Sequence, residues 1–161
     1  MIAQHLVNFV TATFIVVACT MTGCASVPTA STTFESKAMR FTAPPGMAAV
    51  YVYRPFNLIG SAVLFAVSLD YKDFGSVATK TYLFGTVKPG PHVIKAGGGI
   101  PLSIASISFN AQAGKLYFFK VGPGLNQINI EEVDEKTGRD NMVNLRPSGD
   151  NVFEFSDKIQ E

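Results

Sequence analysis

The apolar and polar positions of the chain fall into three textures. From about Phe9 to Met21 apolar residues are nearly continuous, interrupted by Thr11, Thr13 and Thr20. Residues 25–40, ASVPTASTTFESKAMR, are small and hydroxylated, with the charges arriving late. From Phe41 onward the apolar residues gather in short runs, several alternating with polar ones at the two-residue period of a half-buried strand.

These runs predict strands at Ala49–Arg54, Ala62–Leu69, Thr79–Val87, His92–Lys95, Lys115–Val121 and Gln127–Val133. Pro55 closes the first, because proline cannot extend a central ladder. Asp70 to Gly75 reads as a turn, Lys88-Pro89-Gly90 as a type II turn, Ala113-Gly114 as another, and Gly122-Pro123-Gly124 as a strand break. Leu102-Ser103-Ile104 and Ile107-Ser108-Phe109 alternate in opposite phases, which a bulge near Ala105-Ser106 would reconcile. Around Asp134–Gly138 the pattern changes, and a short helix there would carry Met142, Val143 and Leu145. Short runs at spacings of about 8–12 residues with turn chemistry between them predict an all-β sandwich or barrel, with at most one short helix near 134–145.

Composition narrows this picture. The 161 residues allow a single domain after the apolar leader, large enough for a core without metals or disulfides. Thirteen Phe, five Tyr and no Trp supply bulky filling. Thirteen basic and twelve acidic residues give a net charge of +1, which offers no electrostatic footprint for nucleic acid or for an anionic bilayer surface.

The leader has the length of a signal-peptide core and is shorter than the roughly 20 apolar residues of a membrane span, so an uncleaved anchor is the weaker reading. Met21-Thr22-Gly23-Cys24, followed by Ala25-Ser26-Val27-Pro28, resembles the lipobox of bacterial lipoproteins. That resemblance implies cleavage between Gly23 and Cys24, a diacylglycerol on the Cys24 sulfur and an acyl chain on its new amine. Val16-Val17-Ala18-Cys19 also fits a lipobox, which leaves Cys19 as the alternative attachment point. Cys19 and Cys24 are the two cysteines of the chain, so cleavage before Cys24 leaves one alkylated sulfur, no disulfide and no cysteine metal site. Residues 24–40 then read as a lipidated tether, whose coil segment would span about 20–25 Å. Ala25 stands where an aspartate would signal inner-membrane retention, so the analogy with enterobacterial sorting places the protein on the periplasmic face of the outer membrane.

Ala43-Pro44-Pro45-Gly46, Ala49 to Arg54, Val67-Ser68-Leu69-Asp70 with Gly75, Val87 to His92, Ala113 to Phe118 and Glu132 to Arg139 occur in order. Together they resemble a family of small Gram-negative lipoproteins known only as a domain of unknown function, over residues 41–146. Part of the pattern is similar to PEGA-type modules. The resemblance implies an antiparallel β-sandwich, PEGA-like or Ig-like, outside the cytoplasm, and implies no reaction. Tyr71 replaces the glycine usual in that family, which predicts a wider turn or one of another type than a two-residue hairpin. Residues 147–161 lie beyond the resemblance as a C-terminal extension, where Val152, Phe153 and Phe155 would form an edge strand or a frayed tail.

Candidate chemistry is sparse. His92, the single histidine after the leader, follows a turn and reads as a packing residue; there is no G-x-S-x-G elbow to make it part of a triad. Glu131, Glu132, Asp134 and Glu135 lack the alternating ligands of a calcium loop and read as a solvated face. The glycine clusters at 97–99 and 122–124 lack phosphate-loop spacing. Of Tyr117, Phe118 and Phe119, at least one should face outward, which permits a partner surface, although cover by a neighbouring strand or the tail is the stronger expectation. No catalytic residue, cofactor or metal is expected. The expected partners are a membrane, through the N-terminal acyl groups, and an envelope protein or the cell wall. The alternatives are a carrier sheltering an apolar ligand among Phe65, Phe84 and Phe119, or, more remotely, a hydrolase built on His92.

Overall fold

The computed structural model describes residues 32–98, 103–125, 127–149 and 153–154. Cys19, Gly23 and Cys24 lie outside the described residues, and so does the sequence between Cys24 and Thr32. No helix among the described residues is long and apolar enough to cross a membrane.

Two β-sheets pack face to face. The chain opens with α1 (Thr32–Ala38) and then forms β1 (Ala48–Arg54), β2 (Phe65–Leu69), β3 (Lys72–Val77), β4 (Thr81–Val87), β5 (Gly90–Gly97), β6 (Ile104–Ala111), β7 (Leu116–Pro123) and β8 (Ile128–Val133). After α2 (Glu135–Met142) come two short segments, β9 (Arg146–Pro147) and β10 (Phe153–Glu154). One sheet has the order β10-β4-β1-β7-β8, with β9 also on β4; the other has the order β3-β2-β5-β6. The sandwich is the expected one. Within it β1 runs parallel to β7, Val52 opposite Phe119, so the first sheet is mixed. The second is antiparallel throughout.

Between the sheets lies a core of Val50, Val52, Phe65, Val67, Leu69, Leu83, Ile94, Phe109, Phe119 and Val121. A second core covers the opposite face of the first sheet, where Tyr51, Tyr53, Tyr82, Phe84 and Phe118 meet Ala38, Met142 and Leu145. This explains why every residue of β1 and β4 is buried: strands covered on both faces read as continuous apolar runs. Phe118 is the outward aromatic of β7, and α2 with Phe41 covers it, where a neighbouring strand or the tail had been expected. Its ring stacks on Tyr51 at 4.8 Å.

Several local expectations change. α1 occupies part of the stretch read as tether, and Ala38 is buried with its carbonyl accepting the Tyr51 hydroxyl at 2.8 Å. The folded part therefore begins at least nine residues before Phe41, because packing on the tyrosine face stabilises a helix too short to persist alone. β3 is a strand where a turn was read. The bulge lies in the β2–β3 pair: Val67 opposes Gly75 and Ser68 opposes Asp73, leaving Phe74 as the extra residue. β6 pairs with β5 without a register shift; Ile104 faces out and Ser103 in, which resolves the phase conflict near Ala105. β7 continues through Pro123, at its last pairing position. α2 carries Met142 inward, Leu145 beyond it is buried, and Val143 faces solvent.

Asp70 and Tyr71 correct the expected wider turn. Leu69 pairs with Lys72, so two residues connect β2 and β3, with φ of 50° and 65°. These are the signs of a type I′ hairpin. Tertiary bonds hold Asp70 in place: its Oδ1 accepts from the Val93 N–H at 2.9 Å, and its N–H donates to the Val93 carbonyl at 2.9 Å. Lys95 Nζ sits 4.4 Å over the Tyr71 ring, giving the ring a partner in the strained position.

Candidate functional site

β1 and β7 run in the same direction, so Arg54 and Pro123 finish at one end of the sandwich. The 55–64 connection leads from there into β2, whose Ala66 pairs with Gly97 at the end of β5. Gly97 in turn pairs with Ile104. Ser103 Oγ accepts from the Ile128 N–H at 2.8 Å, tying the start of β6 to the β7–β8 connection. These loops share one end. Five large apolar side chains stand in solvent there: Phe56 (62% exposed), Leu58, Ile59, Ile104 and Leu125 (102%). Among the described residues, the other two large exposed hydrophobics are Tyr71, at the opposite end, and Val143, after α2. Scattered exposed apolar residues are ordinary; five gathered at one end form an exposed apolar surface.

Arg54 builds this end. Its side chain is fully buried, and its guanidinium donates to the Val63 carbonyl and, at 2.6 Å, to the Gly60 carbonyl. The guanidinium carbon lies 4.2 Å over the Phe65 ring. Burial pulls its pKa below the ordinary arginine value, and among the described residues no carboxylate pairs with it. Nε has no hydrogen-bond partner. Arg54 thus binds the 55–63 loop from beneath, while Thr79 Oγ1 donates to the Pro55 carbonyl at 3.4 Å. Lys80 Nζ lies 5.0 Å over the Phe56 ring. Beside this loop is a cleft of about 240 Å³, lined by Arg54, Phe56, Asn57, Lys120, Asn129 and Glu131 among others. Lys120 and Glu131 pair across it at 2.6 Å.

The remaining candidates are occupied with structure. His92 Nδ1 lies 2.6 Å from Asp70 Oδ2 and Nε2 lies 2.8 Å from the Lys88 carbonyl, so its ring ties β5 to the β2–β3 turn. With both nitrogens turned to these acceptors, neither faces a serine. Asp134 caps α2, its Oδ1 accepting from the Thr137 N–H at 3.0 Å, and the Thr137 hydroxyl and N–H together hold its carboxyl below the usual range. Glu135 pairs with Arg139 at 2.6 Å. No group of three or more His, Cys, Asp or Glu side chains converges among the described residues. Phe65 and Phe119 lie between the sheets, but Phe84 lies on the far face of the first sheet, so the three do not line one cavity.

Sequence patterning did not single out Arg54, Phe56, Leu58, Ile59 or Leu125. The available signal was an arginine ending an otherwise apolar strand, followed by bulky apolar residues inside proline- and glycine-punctuated loops.

A family model described as "Protein of unknown function (DUF2846)" matches residues 44–132. An uncharacterized protein of Haemophilus influenzae is 31% identical over 136 residues, covering 81% of this chain and 79% of the relative.

Proposed function

This chain belongs to the DUF2846 family of proteins of unknown function, and on that footing we propose that it is a lipid-anchored protein of the bacterial cell envelope whose β-sandwich binds rather than catalyses. The observation that carries the reading is the loop end, where apolar side chains stand in solvent while the chain's lone domain histidine and its buried arginine serve internal carbonyls and a turn. A site made for chemistry keeps an acid, base or nucleophile turned toward a substrate; a docking end keeps apolar surface turned outward.

Cys24 supplies the anchor, with Gly23 as the residue before cleavage and Cys19 as the alternative acceptor. Two or three acyl chains make such attachment effectively permanent, where one would hold only marginally. Ala25 assigns the protein to the periplasmic face of the outer membrane of a Gram-negative cell, and the sandwich is kin to PEGA-like extracytoplasmic modules.

Labelled palmitate tests the anchor. The wild-type chain should incorporate label and Cys24→Ser should not. Label retained in Cys24→Ser but lost in Cys19→Ser would move the anchor to Cys19, and no label in the wild type would end the lipoprotein reading.

A further inference from the structure

The loop end has a direction that the anchor shares. α1 packs beside β9, whose Arg146 and Pro147 pair with Thr81 and Tyr82. Those residues stand opposite Arg54 and Tyr53, so α1 lies toward the Arg54 end of the outer face. From β9 the helix runs to Ala38, whose carbonyl accepts from the mid-strand Tyr51 hydroxyl. The chain continues through Phe41 on the Tyr51 ring to the start of β1, leading away from that end. Seven helical residues rise about 10 Å. Thr32, the first described residue, therefore stands at the same end as Phe56, Leu58, Ile59, Ile104 and Leu125.

Seven residues, 25–31, separate Cys24 from Thr32. No chain of that length reaches beyond about 30 Å even fully extended, and strands of seven or eight residues make the sandwich about 25 Å long. An acylated Cys24 consequently holds the loop end near the lipid. The reverse orientation, with Tyr71 and His92 toward the bilayer, needs the tether stretched along the whole domain, at a large loss of chain entropy.

We propose that the loop end lies against the bilayer, with the apolar side chains of the 55–63 loop, Ile104 and Leu125 entering the headgroup–acyl boundary beside the anchor. This rests on the Cys24 reading for the source of the tether. The chemistry of the surface favours lipid over a folded partner: its apolar groups are split among the 55–64 connection, the first residue of β6 and the β7–β8 connection, where a protein groove would demand a continuous face. Lys80 Nζ, 5.0 Å over the Phe56 ring, sets a cation beside an inserting aromatic, where a headgroup phosphate would pair with it. The 55–63 loop, bonded from beneath by Arg54, is preorganised to enter without further ordering.

The chain contains no tryptophan, so single replacements report without background. Leu58→Trp, Leu125→Trp and Tyr71→Trp are each made in the full chain, isolated from membranes and reconstituted into vesicles of phosphatidylethanolamine and phosphatidylglycerol with brominated acyl chains. For insertion to the ~5–10 Å depth of interfacial segments, Leu58→Trp and Leu125→Trp should lose at least half their emission while Tyr71→Trp keeps nearly all of it. Equal quenching at the three positions overturns the proposal. So does a blue-shifted Leu58→Trp emission without vesicles together with a doubled mass, which would give the loop end to a second copy of the chain. The mass of the N-terminal peptide in the same preparations decides acylation separately. Acylation without selective quenching ends the docking proposal alone; selective quenching of an unacylated chain ends the anchor alone. Neither acylation nor selective quenching ends both.

Discussion

Gly138 of α2 lies directly on the Phe118 ring of β7: a Cβ built on Gly138 would stand 2.2 Å from Phe118 Cγ. Helix and sheet meet at backbone distance, and this contact closes the outer core over Tyr51. Phe118 cannot yield, because it is fully buried and stacked on Tyr51. Gly138→Ala should therefore destabilise the protein. Overpacking costs about 1–3 kcal/mol, and the better helix propensity of alanine returns about 0.5–1 kcal/mol, for a net loss of about 1–2 kcal/mol. Urea unfolding measures it. A variant as stable as wild type would mean that α2 does not approach the sheet this closely.

The Asp70–Tyr71 turn makes the opposite prediction for a glycine. A non-glycine residue in the left-handed region costs about 1 kcal/mol, and Tyr71 occupies it with its side chain in solvent. Tyr71→Gly should stabilise the fold by up to about 1 kcal/mol, less whatever the Lys95 contact contributes and the entropy that glycine adds to the unfolded chain. Asp70→Ala should cost about 2–3 kcal/mol, because it removes the acceptor for both His92 and Val93. Thermal unfolding of the two variants should move in opposite directions.

This turn also marks where the sequence stops being legible. The strands β1, β4, β7 and β8 were readable because burial and alternation are written locally, and the positive φ at Gly90 and Gly114 follows from residue type. Asp70-Tyr71 was not, because what permits a tyrosine there is a carboxylate bonded to Val93 more than twenty residues away. α1 escaped notice for a related reason: a threonine- and serine-rich segment has little helix propensity of its own, and Tyr51 supplies the contact that fixes it. The loop end was invisible because Leu58, Ile104 and Leu125 are distant in sequence and are brought together only by the parallel pairing of β1 with β7 and the Ser103–Ile128 bond. The proposed anchor depends on no such assembly, since the lipobox-like stretch Met21–Cys24 is a contiguous string.

Alkaline pH should unfold the protein through its tyrosine face. Tyr51, Tyr53 and Tyr82 all have pKa values raised above the ordinary 10.0, chiefly by burial. Below pH 10 the three are neutral in folded and unfolded chains alike, so their contribution is intact. Above it the unfolded chain releases phenolic protons first, and stability falls as pH rises toward the folded-state values. Tyr82 is the weak member, because its buried hydroxyl has no hydrogen-bond partner. Tyr82→Phe should raise stability at neutral pH by about 1 kcal/mol and make the decline above pH 10 shallower by one titrating group. Urea midpoints at pH 7, 10 and 11 check both; an unchanged alkaline slope would show that Tyr82 does not titrate with unfolding.

Arg54 carries the final prediction, because it joins the stability of the fold to the shape of the loop end. A buried guanidinium is costly, and here it is offset by two carbonyl bonds and the Phe65 ring rather than by a carboxylate. Arg54→Met keeps the apolar stem but takes the guanidinium from the Val63 and Gly60 carbonyls, leaving Gly60 with the Val63 N–H alone. It should cost about 2–4 kcal/mol, the range for buried polar groups deprived of a charged partner. Arg54→Lys should fall between, since one ammonium lacks the fork that reaches both carbonyls. The decisive readout is local. Val63 N–H donates to the Gly60 carbonyl at 2.9 Å, and its amide should exchange faster in Arg54→Met than amides of β5 and β6 do. Exchange that accelerates uniformly would make Arg54 a general core residue. Acceleration confined to 55–63 would establish that the exposed Phe56, Leu58 and Ile59 are held outward by a cation beneath them, and that their exposure is built into the fold.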